Sequence, residues 1–213
     1  FATVEVEVSG DMEKSRVSTS AYVNTLTLSS SENAEATFSA ELMALSLAST
    51  YTSSTSVAYA SQAETVLRHA DASFTLGGTA LTAYARSIEV AISNGLEPRR
   101  GAGTLTPRVM QLVGAREVTV TVTLDAETTF IETLLSRWRG QTAVDAVVAW
   151  VVSGYGPTIT VNDGVMTAAA DVAISGTGQQ TVTLTIKGHG VLGTTEAVAT
   201  SFVTPNSSVE SAG

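Results

Sequence analysis

The chain has 213 residues, 44% of them apolar and 15% charged, with 20 acidic against 11 basic residues for a net charge of −9. That length holds one large β domain or two small ones with a buried core, and the acidic balance excludes a tight nucleic-acid binder, whose phosphate affinity comes from clustered Lys and Arg. The lack of cysteine excludes a disulfide framework and thiolate metal ligands, and the longest apolar run, 146–152, falls far short of the roughly 20 residues that span a bilayer.

Ser, Thr, Ala and Val dominate, which suits pleated, half-buried surfaces and predicts an all-β protein. Phe1 rather than Met opens the chain, so upstream sequence is expected, and no basic, apolar signal segment is visible. Residues 3–8 alternate Val4, Val6 and Val8 with Thr3, Glu5 and Glu7 and predict an opening strand with one wet face. Residues 23–28 and 36–42 flank SSSENAE and predict a hairpin with its tip at 29–35. The stretch 49–61 is Ser/Thr-rich without a period and reads as a loop. Residues 72–76 and 79–84 are joined by Gly77-Gly78, a pair that supplies the positive φ of a tight hairpin turn.

Strands are predicted at 87–92 and 117–124, the second alternating Val118, Val120, Val122 and Leu124 with Thr119, Thr121 and Thr123. Between them runs a long polar arm, 94–114, with Arg99, Arg100, Pro107 and Arg108. A two-residue turn would join such strands at lower entropic cost, and loops beyond about 12–15 residues are mostly functional or disordered. The arm is therefore expected to reach for a neighbour.

Residues 125–140 break the β rule and predict a helix, with Phe130, Ile131, Leu134, Leu135 and Trp138 as its apolar stripe. Asp125 is its expected N-cap and Gly140 its expected C′ residue, while Arg137 and Arg139 complement the dipole. The run 143–152 predicts a central strand. Strands at 158–161, 165–174 and 181–188 follow, joined by turns at Asn162-Asp163-Gly164 and 175–180, and the Ser-rich tail after Val203 is expected to fray. Strand-turn-strand echoes at 26–42, 88–124 and 172–186 raise a two-lobe duplication dividing near residue 70 as one reading.

The chemistry-bearing residues form no recognisable constellation. His69 in RHAD and His189 in KGHG are read as surface or turn residues, and neither has a second ligand at metal spacing. No G-x-S-x-G elbow appears, and the glycine-rich stretches GAG, GYG and SGTG lack the strand-to-helix context or the Lys of a phosphate cradle. Neither catalytic residues nor a metal or cofactor site is predicted. Arg99, Arg100, Arg108 and Arg116 form a basic cluster without interleaved aromatics; an inter-subunit salt-bridge arm is preferred over a nucleic-acid patch, because the acidic chain offers partners.

Taken in order, these features resemble the tail tube proteins of long-tailed bacteriophages: SFTLGG, a strand ending in Ser93-Asn94-Gly95-Leu96, a Pro- and Arg-containing arm, the strand GAREVTVTVTL, an acid-opened helix and C-terminal meander strands. Residues 20–48 look like the earlier strand-turn-strand of that family. The resemblance implies a mainly β fold, a β-sandwich or barrel with one flanking helix at about 125–139, whose subunits share a β-barrel in rings. The rings, hexameric or trimeric and pseudo-hexameric, stack into a hollow tube through which DNA passes untrapped. It also implies a place in the virion tail after assembly in the host cytoplasm, contact with tape measure, tail tip and terminator proteins, and no membrane. The expected division is an N-terminal part, 1–70, and a main tube-like sandwich, 71–213. The expected inter-subunit residues are Asn94, Leu96, Arg99, Arg100, Pro107 and Arg108. Lumen strands are expected from 23–42, 87–92 and 117–124, with Glu32, Glu35 and Glu41 near the lumen, where acidic walls would not hold phosphate. The rival expectation is a β-rich binding module, a capsid decoration protein or surface adhesin, which leaves the arm without a role.

Overall fold

Alternation in the sequence becomes alternation in burial. In a computed structural model of the chain, the residues described are 2–8, 14–45, 52–53, 66–104, 107–126, 128–169, 180–188 and 198–203. The strands are β1 (Ala2–Val8), β2 (Lys14–Ser31), β3 (Thr37–Ala44), β4 (Thr52–Ser53), β5 (Ala72–Leu76), β6 (Thr79–Ala80) and β7 (Ala85–Ser93). They continue with β8 (Leu96–Arg100), β9 (Pro107–Leu112), β10 (Glu117–Asp125), β11 (Val144–Trp150), β12 (Gly156–Ala169), β13 (Thr181–Gly188) and β14 (Val198–Val203), and α1 (Thr128–Arg139) lies between β10 and β11. The protein is mainly β with a single α-helix among the described residues, and those strands do not close into a barrel.

The chain divides into two units. One comprises Phe1–Leu26, Ala40–Glu64 and Ser93–Arg116; the other comprises Thr27–Ser39, Thr65–Ile92 and Glu117–Gly213.

The second unit is a β-sandwich built from two sheets that share β12. In one sheet β7, β10, β13 and the far half of β12 are neighbours, and β10 and β13 pair antiparallel from Val118↔Gly188 to Asp125↔Thr181. In the other, the near half of β12 lies between β14 and β11, followed by β5 and β6. Every second residue is buried: Val118, Val120, Val122 and Leu124 on β10, Val182, Leu184 and Ile186 on β13, and Phe74 and Leu76 on β5. A fully buried side chain of this kind contributes roughly 1.5–3 kcal/mol, so the alternation fixes register, because a one-residue slip would turn the whole set to solvent. β11 is central, as expected, and buries Ala149 and Trp150 in succession.

The predicted hairpin at Gly77-Gly78 is present, both glycines having positive φ (55° and 78°), but its second strand ends at Ala80 and Thr82–Tyr84 is a 3-10 turn rather than strand. Three further local expectations are corrected. Asn162-Asp163-Gly164 is not a hairpin turn. β12 runs through it as one strand, with a bulge where β11 shifts from Val144↔Gly164 to Ala146↔Val161, Asp163 at φ 49°, and the Asp163 N–H donating to Asp145 Oδ1 at 3.0 Å. The bulge lets the two halves of β12 serve different sheets. Asp125 is not an N-cap: it ends β10, and the helix begins at Thr128. At the other end of α1 the left-handed residue is Gln141 (φ 48°), one position beyond the expected Gly140. The stripe itself is as read, with Leu134 buried and the Phe130 ring 4.9 Å from that of Tyr84. The expectations at 49–51, 54–61 and 175–179, at His189 and in the tail after Val203 lie outside the described residues.

Candidate functional site

The arm at 94–114 is not an irregular loop. Its two halves pair as an antiparallel ribbon, β8 with β9, from Leu96↔Leu112 through Pro98↔Met110 and Arg99↔Val109 to Arg100↔Pro107, with a bulge beside Arg100. These strands pair with no other among the described residues. The alternation is short, Leu96 to Arg99 on β8, and broken at Val109 on β9, which is why the sequence concealed the ribbon.

The neck of the ribbon is clamped within the first unit. Asn94 donates from Nδ2 to the Val23 carbonyl at 2.8 Å and from its backbone N–H to the Asn24 carbonyl at 2.8 Å, while its Oδ1 accepts from Arg116 Nε at 2.8 Å. Asn24 Oδ1 accepts from the Leu96 N–H at 3.1 Å, and Asn24 Nδ2 and Thr25 Oγ1 donate to Glu41 Oε2 at 3.1 and 3.3 Å. Each amide thus uses oxygen as acceptor and nitrogen as donor, a self-consistent orientation. Gly95 (φ 58°) and Gly114 meet backbone to backbone: a Cβ on Gly95 would lie 3.2 Å from the Cα of Gly114. Beside the neck, Ala21, Tyr22, Val23, Asn94, Leu96, Leu112 and Arg116 line an open groove of about 450 Å³.

Toward the tip, Arg99, Arg100 and Arg108 surround a shallow hollow of about 490 Å³ together with Gly101. All three are exposed, and among the described residues none makes an ion pair. Of the four arginines grouped on sequence, Arg116 stands apart, spent on the neck through Asn94.

The three candidate lumen carboxylates have different settings. Glu41 is held by Asn24 and Thr25, as above. In the second unit Glu32 lies 3.5 Å from Arg86 Nη1, and Arg86 also pairs closely with Asp125. The hydrogen bond to Asp125, reinforced by the charges of Asp125 and Glu32, holds the Arg86 guanidinium above its ordinary pKa, against a smaller opposing effect of desolvation. Glu35 is exposed and bridges to Arg68 through the backbone.

His69, read as a surface or turn residue, is half-buried with both ring nitrogens engaged. Nε2 faces the Ala85 carbonyl at 2.9 Å and Nδ1 faces Ser30 Oγ at 2.9 Å, while the Trp150 indole donates to the same Ser30 hydroxyl at 2.9 Å. Sequence reading missed Ser30, one serine in a run of three, because no local pattern marks it. Among the described residues no cluster of three or more His, Asp or Glu is placed to hold a metal, and no helix is long and apolar enough to cross a membrane.

A sequence model of the family described as phage tail tube protein matches residues 2–190. The chain belongs to the phage tail tube protein family. It is thus a structural component of the virion tail. Curated protein sequences give no match to this tube protein. Among solved structures, it is similar to a chain in the virion of a native gene transfer agent particle, at 16% identity and a TM-score of 0.44 over 63% of this chain and 97% of that one. The same figures hold for a chain from the tail of an empty particle of that kind, refined with C6 symmetry. A chain of the sheath-tube complex of an extracellular contractile injection system matches at 12% identity and a TM-score of 0.44, over 62% of this chain and 88% of that one.

Proposed function

We propose that this tail tube protein polymerises with copies of itself into stacked rings, and that its β8–β9 ribbon is the arm by which one subunit engages the next. The observation that carries this reading is the ribbon itself. An isolated two-stranded hairpin is at best marginally stable in water, and this one carries solvent-exposed Leu112 and Val113, with Leu112 62% exposed. A neighbouring subunit would supply the missing packing. The contacting residues on this reading are Leu96, Arg99, Arg100, Pro107 and Arg108, with Asn94 setting the angle at the neck.

The tube so formed conducts DNA, with Glu32, Glu35 and Glu41 near the lumen, where a carboxylate surface repels phosphate and lets the duplex pass. Tape measure, tail tip and terminator proteins are its further partners. The role is non-enzymatic: family membership is in a structural class, and the titratable residues described here are engaged in structural bonds or open to solvent.

Negative-stain electron microscopy of the purified chain across a range of concentrations tests the proposal. Rings or hollow tubes from the intact chain, and folded monomers from a variant lacking residues 96–113, are expected. Normal tubes from the deletion variant would overturn the role of the ribbon, and monomers of the intact chain at every concentration would overturn the polymerisation reading.

A further inference from the structure

Cross-strand pairing sorts the ribbon into two chemically different faces. Directly paired residues project to the same side of a sheet and successive residues to opposite sides. The pairs Leu96↔Leu112 and Pro98↔Met110 therefore share one face, and Glu97↔Gln111 and Arg99↔Val109 share the other. Over these four pairs, from the neck to the bulge beside Arg100, the first face is apolar and the second is polar apart from Val109. At the neck the apolar face leads into the groove lined by Leu96 and Leu112 together with Ala21, Tyr22 and Val23.

We propose, building on the polymerisation reading above, that the ribbon docks on a second copy of this chain through the apolar face of Leu96, Pro98, Met110 and Leu112, and not through its strand edges or through its arginines as the main source of affinity. Each strand carries a proline, Pro98 or Pro107, which removes a backbone donor and blunts an edge against strand addition. The arginines lie in an exposed setting, where single ion pairs are screened and weak. Their part is to select and orient the partner. Between Asn94 and Gly114 the arm has three arginines against Glu97, whereas the remaining sequence holds 19 acidic and 8 basic residues. A surface complementary to a basic tip is thus supplied by another copy of this acidic chain, which commits the occupant to self rather than nucleic acid.

The test uses the full chain and three variants, M110S/L112S on the apolar face, V109S as an exposed apolar loss on the opposite face, and R99S/R100S/R108S at the tip. Assembly is followed by sedimentation and electron microscopy, with circular dichroism and thermal unfolding of each variant to establish that it folds. The expected result is that M110S/L112S raises the concentration for assembly by about tenfold or more, V109S assembles like the parent, and the arginine variant assembles with weaker salt sensitivity. Assembly of the parent is expected to persist in salt of about 1 M, where charges are screened beyond about 3 Å. If M110S/L112S assembles like the parent, or V109S fails equally, face docking is overturned while polymerisation stands. An arginine variant that cannot assemble at any concentration overturns the division of roles. A parent chain that never assembles overturns the underlying reading and the inference with it.

Discussion

The indole N–H of Trp150 donates to the hydroxyl of Ser30 at 2.9 Å, joining residues 120 positions apart. The rest of the relay follows from hydrogen-bond accounting. A carbonyl can only accept, so His69 carries a hydrogen on Nε2, toward Ala85, and in the neutral imidazole Nδ1 then accepts the Ser30 O–H, whose oxygen in turn accepts from Trp150. Ser30 is 5% exposed and therefore serves as donor and acceptor without help from bulk water.

Replacing Ser30 with alanine leaves the Trp150 N–H and His69 Nδ1 without their partner. The expected loss is about 1–3 kcal/mol, read as a lower denaturation midpoint by tryptophan fluorescence. An unchanged midpoint would show that water substitutes for the hydroxyl.

Gly156 sits at φ 134°, a region that L side chains avoid, and a Cβ there would overlap the Trp150 carbonyl. Gly156→Ala is expected to cost about 1–3 kcal/mol or more and to disturb the start of β12. Thermal unfolding beside the parent chain measures it; a loss of a few tenths would mean the backbone relaxes freely.

Ser153 (φ 54°) and Gly154 (φ 86°) both have positive φ in the two-residue turn closed by reciprocal 2.9 Å bonds between Val152 and Tyr155. Asn-Gly is the favoured pair for such turns. Ser153→Asn is accordingly expected to raise stability by several tenths of a kcal/mol to about 1 kcal/mol, visible as a higher melting temperature.

Arg86 ties Asp125 to Glu32, and its pKa is raised above its ordinary value, chiefly by the hydrogen bond to Asp125. A cation whose folded-state pKa is raised contributes stability that is fully present below its unfolded value and lost only as pH climbs through the folded one. From about pH 6 to 9, then, titration of Arg86 leaves stability flat. Arg86→Gln is expected to lower the melting temperature by the same amount at both ends of that range. A deficit that changes steeply between them would place the relevant titration on another group.

Asn94 holds the ribbon neck through two donors and one acceptor. Asn94→Ala removes its side-chain bonds to Val23 and Arg116, both exposed, at a cost of about 0.5–1.5 kcal/mol each. Because the ribbon's angle depends on that clamp, assembly is expected to fall more than melting temperature does. Comparing both readouts in one variant, against Leu96→Ala, separates positioning at the neck from contact along the ribbon.

The sequence was most legible where one face of a strand is buried. The Val/Thr alternation of β10 and β13, the β-branched run of β11 and the glycine pair after β5 each contain the local cause of their structure, because pleat and turn geometry act over two to four residues. The apolar stripe of α1 was legible for the same reason, but its start was not: Asp125 looks like a cap on sequence and is instead drawn into β10 by its pairing with Thr181 and by Arg86. Asn162-Asp163-Gly164 has turn composition, yet β11 on one side and β13 beyond it hold the chain extended through a bulge. The ribbon escaped notice because its strands answer to each other and not to a core.

By itself the sequence determined a mainly β chain with one helix, a prominent basic arm on an acidic protein, and a resemblance in the order of its elements to tail tube proteins, since patterning, charge and order are all carried by neighbours along the chain. Only the tertiary structure decided that the arm is a ribbon with an apolar face, that Asn94 and Arg116 form its clamp, and that Ser30, His69 and Trp150 complete one another's hydrogen bonds. Those facts depend on pairings between residues 7 to 120 positions apart, which no local pattern in the chain encodes.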